Sequence, residues 1–242
     1  KRTVSVLLCA ALALGLWLSS LPGAAFADGE TTLSIKHGSI VIGAGSVDGY
    51  DGDGNHITTH NPNGYIITGA SSEHTVTVNG GGHNITLDGV AIDAQGDDWA
   101  NAFEITGEAN VNLTLKGNNA LTGGWERAGL AVGERASVTI DGDGFLQANG
   151  GHNGAGIGGS RNSPSSGSVT INGGEIDAQS VGLGAGIGSG DAYGAVSVTT
   201  GPIRITGGTV SASSTAGAGI GSGAGGGTVS VTIGPISITG GT

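Results

Sequence analysis

Methionine is missing from this chain altogether, and cysteine occurs once, at Cys9. A chain without Met even at position 1 implies a start that has been trimmed or processed. A single thiol excludes an internal disulfide framework and a cysteine-built metal centre. Cys9 also has Leu8 before it, where a lipoprotein anchor needs a small residue. Positive charge is scarce: eight Lys and Arg stand against nineteen Asp and Glu, for a net charge of −11. That balance excludes partners held by Lys and Arg, namely nucleic acid and anionic lipid. It is compatible with neutral glycans, cations or solubility alone. A sustained helical period is absent after residue 27, which excludes a helical bundle. So are a Gly-x-Ser-x-Gly elbow, a Walker loop and a dinucleotide fingerprint.

The one long apolar run, Val4–Leu18, follows Lys1 and Arg2 and precedes Ala25-Phe26-Ala27. A positive end, a short apolar stretch and an A-x-A site make residues 1–27 a secretory signal peptide, too short for a membrane span. Its removal takes the net charge to −13 and leaves a chain with no thiol and no membrane insertion. The expected location is outside the cell or on a bacterial cell surface.

What is abundant is glycine, 52 of 242 residues, and the glycines repeat. Gly154-Ala155-Gly156-Ile157-Gly158 recurs at 184–188 and 217–221, at offsets of 30 and 33, and Ala128-Gly129-Leu130 is a weaker copy 27 residues earlier. A second series keeps step. Val169-Thr170-Ile171-Asn172-Gly173-Gly174 runs into Glu175-Ile176-Asp177-Ala178, and Ile203–Gly208 runs into Thr209-Val210-Ser211-Ala212. Ile236–Gly241 opens the series again and breaks off at Thr242, so further coils are expected to follow. Each unit reads as a strand, a Gly-Gly corner, a second strand and a small-residue strand holding the Ala-Gly-Ile core. Triplets such as Val76-Thr77-Val78 and Ile203-Arg204-Ile205 alternate with the period of a strand buried on one face. Strands this short are stable only when each pairs with its equivalent one coil above and below. Gly supplies the corners, and Ala and Gly allow close backbone approach where the coil is narrow. A mean hydropathy of +0.12 and regular β-branched pairs separate this pattern from a Gly-rich linker.

The chain is therefore expected to be all-β, a parallel β-helix of about seven coils of roughly 30 residues. At about 4.8 Å per coil the rod is about 35 Å long. Residues 28–64 are the least regular and form an expected N-terminal cap, with Asn61-Pro62-Asn63-Gly64 as a turn; regular coils are expected over 65–242. The run Asn84–Ala94, then Ala102–Ile105, Val111–Leu121 and the GAGIG repeats resemble the large secreted β-helix surface proteins of Gram-positive and gut bacteria. Some of these are described as carbohydrate-binding or adhesin-like. The resemblance implies a right-handed parallel β-helix at the cell surface, with a polysaccharide or a host-cell glycan as partner and no catalysis.

Candidate chemistry is sparse. Gly96-Asp97-Asp98 looks like the paired carboxylates of polygalacturonase-like β-helix enzymes, but no Gly-His-Gly occurs and Arg204-Ile205-Thr206 lacks their lysine. Hydrolysis of a glycosidic bond needs two carboxyl groups converging on one sugar, so a non-enzymatic role is expected. Asp48, Asp51, Asp53 and Asn55 crowd a Gly-rich loop and suggest an oxygen-ligand calcium site, although the EF-hand spacing fails. His56 and His60 are four apart without a third zinc ligand. Thr75-x-Thr77 and Thr199-Thr200 do not recur at the repeat offset, as a flat ice-binding face requires. Aligning Ala102, Ala128 and Ala155 places Trp99, Trp125 and His152 each three residues earlier, in successive loops on one edge. Rings presented in a row suit stacking on sugars, with Asp97, Asp98, Glu126 and Arg127 beside them to bond hydroxyls. The same rings would alternatively pack on one another in a purely structural stalk.

Overall fold

The structure is a computed structural model that describes residues 29–161, 163–192, 194, 197–226 and 229–242. The expected leader, residues 1–27, lies outside these. The described residues are all-β, with parallel strands stacked as a solenoid of about seven turns.

Three columns of strands make the solenoid. The first is built from Thr31–Ser34, the leading halves of Tyr65–Ser71 and Gly82–Asp93, then Asn110–Lys116, Ser137–Gly142, Ser168–Ile171, Ile203–Ile205 and Ile236–Ile238. The second takes the trailing halves of the two long strands and continues through Asn118–Thr122, Phe145–Gly150, Glu175–Ser180 and Thr209–Ser214. The third runs Ile40–Gly43, Val76–Asn79, Phe103–Thr106, Leu130–Val132, Ile157–Gly158, Ile187–Gly188 and Ile220–Gly221. In the later turns a fourth strand appears ahead of each Gly-Pro: Ser197–Thr200 pairs with Ser230–Ile233.

Alternation sends one ladder of each column inward. Val111, Val138, Val169, Ile203 and Ile236 are register partners in the first column. Val76, Phe103, Leu130, Ile157, Ile187 and Ile220 are partners in the third. The isoleucines of the GAGIG repeats, Ile157, Ile187 and Ile220, thus stack in one ladder, and Val169, Ile203 and Ile236 of the second series in another. Ile236, on the last described turn, is 42% exposed because no strand covers it.

The interior narrows along the rod. In the second column the inward ladder passes from Ile92 and Leu121 to Ala148, Ala178 and Ala212. Opposite, the third column shortens from four residues at Val76–Asn79 to two at Ile157–Gly158. The GAGIG glycines sit at this constriction. A Cβ added to Gly156 would lie 2.6 Å from the Gln179 nitrogen and 2.7 Å from the Ala148 oxygen. Only glycine lets the two backbones approach so closely.

Strand pairing begins before the expected boundary at residue 65. Thr31–Ser34 pairs in parallel with Tyr65–Thr68, and Ile40–Gly43 with Val76–Asn79. Leu33 and Ile35, then Ile40 and Ile42, carry the inward period there and are fully buried. The departure from the solenoid is a hairpin, Ser46–Tyr50 with His56–Ile57, laid antiparallel on Ile40–Gly43. It buries Val47 and sets the Gly49 backbone against Leu33 and Ile40.

Candidate functional site

The outward face of the second column carries two rows of side chains. Register puts Ala70, Ala91, Ala120, Gln147 and Asp177 in one row, and Asp93, Thr122, Asn149 and Gln179 in the other. Every second residue of these strands must leave the core, so the rows follow directly from the buried ladder between them. Around Asp93, Thr122, Gln147, Asn149 and Gln179 the surface is hollowed into a groove of about 480 Å³. Asp98 and Trp125, from the loops that join the second column to the third, line it as well. The groove continues toward the N-terminus into a trough of about 660 Å³ that shares Asp93 and Thr122 and reaches Lys36, Glu73 and His74. Within the rows the polar groups hold one another: Asn149 Nδ2 donates to Thr122 Oγ1 at 3.3 Å, and Gln179 Nε2 to Asp177 Oδ2 at 2.6 Å.

The connecting loops stack with backbone bonds of their own, from Glu126 N–H to Asp98 O at 3.0 Å and from Asn153 N–H to Trp125 O at 3.1 Å. Trp125 and His152 are true coil equivalents, since Leu130 pairs with Ile157. Their rings stack with centroids 4.7 Å apart and planes 11° from parallel. The Gly182 backbone packs against the imidazole, which is thereby wedged behind the indole. Trp125 stays 54% exposed.

Trp99 falls out of the expected row. Phe103 pairs with Leu130, so Ala102 lies opposite Gly129 and not Ala128. Ten residues separate Ile92 from Phe103, whereas eight separate their partners Leu121 and Leu130. The two extra residues carry the indole out of line with Trp125. It is 55% exposed and takes the Arg127 guanidinium over its ring, 5.6 Å from the centroid. Of the four polar residues expected to meet a ligand beside the rings, only Asp98 lines the groove. Asp97 accepts the Trp99 N–H at 2.9 Å and so caps its own loop. Glu126 is turned inward, its side chain 9% exposed, and accepts a 2.6 Å bond from Arg161 Nη1. Arg127 is engaged with Trp99. A Glu that ion-pairs under the loop and an Arg that caps a neighbouring ring cannot also face the groove.

The expected calcium loop does not assemble. Asp51 Oδ1 accepts the Asp53 and Asn55 N–H groups at 2.9 and 2.8 Å, and its Oδ2 accepts Asn55 Nδ2 at 2.9 Å. The Asn55 amide, then the Asn55 N–H, hold the Asp51 carboxyl below the usual carboxylate range. Asp48 turns to His56, 2.7 Å away across the hairpin. Among the described residues no three His, Cys, Asp or Glu side chains gather for a metal. His60 Nδ1 faces the Tyr65 hydroxyl at 3.0 Å, away from His56.

Asp93, Thr122, Gln147, Asn149 and Gln179 escaped the sequence reading. Their signal was the polar partner in each alternating pair of the second strand, visible only once the inward residue of each pair is known.

Residues 138–161, 169–191 and 203–224 match the beta helix repeat family. No curated protein and no solved structure matches the chain. With the stacked parallel columns, the repeat match makes this a parallel β-helix protein.

Proposed function

We propose that this protein is a secreted or cell-surface binding module whose groove beside Trp125 takes a carbohydrate. The observation that carries the reading is a half-exposed indole, braced from behind by His152, at the wall of a groove floored by amides, a hydroxyl and a carboxylate. Sugars offer an apolar ring face and a rim of hydroxyls, and such a surface matches both. Export rests on the leader at residues 1–27. The role is binding without turnover.

A glycan-array screen, followed by affinity electrophoresis on the glycans retained, tests the reading. Trp125→Ala is expected to weaken retention about tenfold or more, the loss of a stacking contact worth upward of about 1.4 kcal/mol, with the melting temperature nearly unchanged. A wild-type chain that retains no glycan overturns it. Release of reducing ends from a retained polysaccharide would assign a hydrolase or lyase instead. The stalk reading has one observation in its favour: each indole already has a partner within the chain, His152 or Arg127. It predicts that Trp125→Ala lowers the melting temperature and that no glycan binds.

A further inference from the structure

We infer that the groove beside Trp125 selects sugars bearing a protonated amine, so that its ligand is an amino-sugar polymer. The inference rests on the carbohydrate reading above and narrows it by charge. The residues lining the groove include Asp93 and Asp98 and no Lys, Arg or His. Asp93 accepts one backbone N–H, from Gln95 at 3.1 Å. The Asp98 carboxylate has no hydrogen bond or ion pair with any described residue.

Nearby cations are engaged elsewhere or make no ion pair with these carboxylates. Arg127 lies over Trp99, Arg161 is paired with Glu126, and His152 is stacked on one face of the Trp125 indole. Lys36 and His74 line the adjoining trough. Neither forms an ion pair with Asp93 or Asp98.

The groove thus presents two carboxylates that form no ion pair with any described residue. A neutral sugar settling over them removes water from charges and returns no counter-charge. A uronate is repelled outright. An ammonium group supplies the counter-charge and gains from the exposed indole, whose quadrupole attracts cations. The chain already uses that attraction one loop away, where Arg127 covers Trp99. A stacking platform and two carboxylates without a counter-charge among the described residues are jointly complementary to a ring that is apolar on its face and positive at its edge.

The experiment is calorimetry on the whole chain with three oligomers of equal length: fully de-N-acetylated glucosamine, its N-acetylated counterpart, and galacturonate. A pH of about 6 keeps the amine protonated and the carboxylates ionised. The amine form is expected to bind about tenfold more tightly than the N-acetylated form, an advantage that shrinks as salt is added. Asp93→Asn with Asp98→Asn is expected to erase the difference between the two. If the N-acetylated or galacturonate oligomer binds as tightly as the amine and retention still depends on Trp125, the inference fails and the carbohydrate reading stands. Binding of none of the three, together with a blank glycan array, overturns both. An amine preference untouched by the double substitution is attraction of a polycation to an acidic protein, and it also overturns the inference.

Discussion

Gly156 shows how much of this fold is decided by single side chains that are not there. Its missing Cβ leaves room for the Ala148 carbonyl and the Gln179 amide from the facing column, and Gly186 stands in the same relation to Ala178 and Ser213. Gly96, in the loop that carries Asp97 and Asp98, has nothing within 4 Å of its own missing Cβ. The two positions separate packing from chain entropy. Gly156→Ala is expected to destabilise by more than about 1 kcal/mol, because backbone on both sides must move. Gly96→Ala is expected to stabilise by about 0.4–1 kcal/mol by restricting the unfolded chain. Urea denaturation of the two variants checks both signs. Trp99 and Trp125 make the same point about context. Two indoles of nearly equal exposure differ in role because one is capped by an arginine and the other is braced beside a groove.

Each turn also needs a corner that takes the chain from the first column to the second without orphaning backbone groups. In the turn containing Asn110–Lys116 and Asn118–Thr122, the corner is Gly117, at φ 60°, followed by Asn119. Asn119 points inward among apolar side chains, yet all its contacts are satisfied. Its Oδ1 accepts the Val90 N–H at 2.9 Å, and its Nδ2 donates to Lys116 O at 3.0 Å and Phe145 O at 3.1 Å. One side chain therefore ties three successive turns together. Asn119→Ala is expected to cost about 1–3 kcal/mol, since the buried Val90 N–H is left without an acceptor. Asn112→Ala, which removes an outward amide bonded to Asn84 at 3.0 Å, is expected to stay within about 0.5 kcal/mol. Thermal melts of the two variants make the comparison. The N-terminal hairpin is the other specialised element. Its acidic tip is spent on its own turn, with Asp51 capping Asp53 and Asn55, which is why a loop rich in carboxylates binds itself and gathers no metal set.

Along the rod, stability follows the taper of the interior. The turns of Ile105 and Val132 enclose branched and aromatic side chains on all three columns, including Phe103 and Leu121. In the turn of Ile187 the third column is cut to that one isoleucine, with Ala178 in the second column and Val169, Ile171 and Ile176 completing the interior. Because each turn touches only its neighbours, a defect should spread a short way and stop. Ile187→Ala is expected to cost about 2–5 kcal/mol, as strands paired above and below hold the walls apart and close on the cavity only in part. Hydrogen exchange should show lost protection at Ile157, Ile187 and Ile220, and native protection at Val78 and Ile105. Uniform loss over the whole rod would contradict the nearest-neighbour picture.

The period of the glycines and the alternation of short apolar pairs were enough to specify a parallel solenoid, its turn length and two of its inward ladders, because those features repeat locally and depend only on which residues face inward. The equivalence of Trp125 and His152 was legible for the same reason: their loops are of equal length. What the sequence left undecided was everything that depends on register between unequal turns. Two additional residues before Phe103 shift Trp99 out of the row, and Ile92-Asp93-Ala94-Gln95 looks like Ile176-Asp177-Ala178-Gln179 although Ile92 stacks in the ladder of Ala178 and not in that of Ile176. The groove is assembled from a few residues of each turn, 27 to 30 residues apart in sequence, so only the stacking of the turns brings them onto one face.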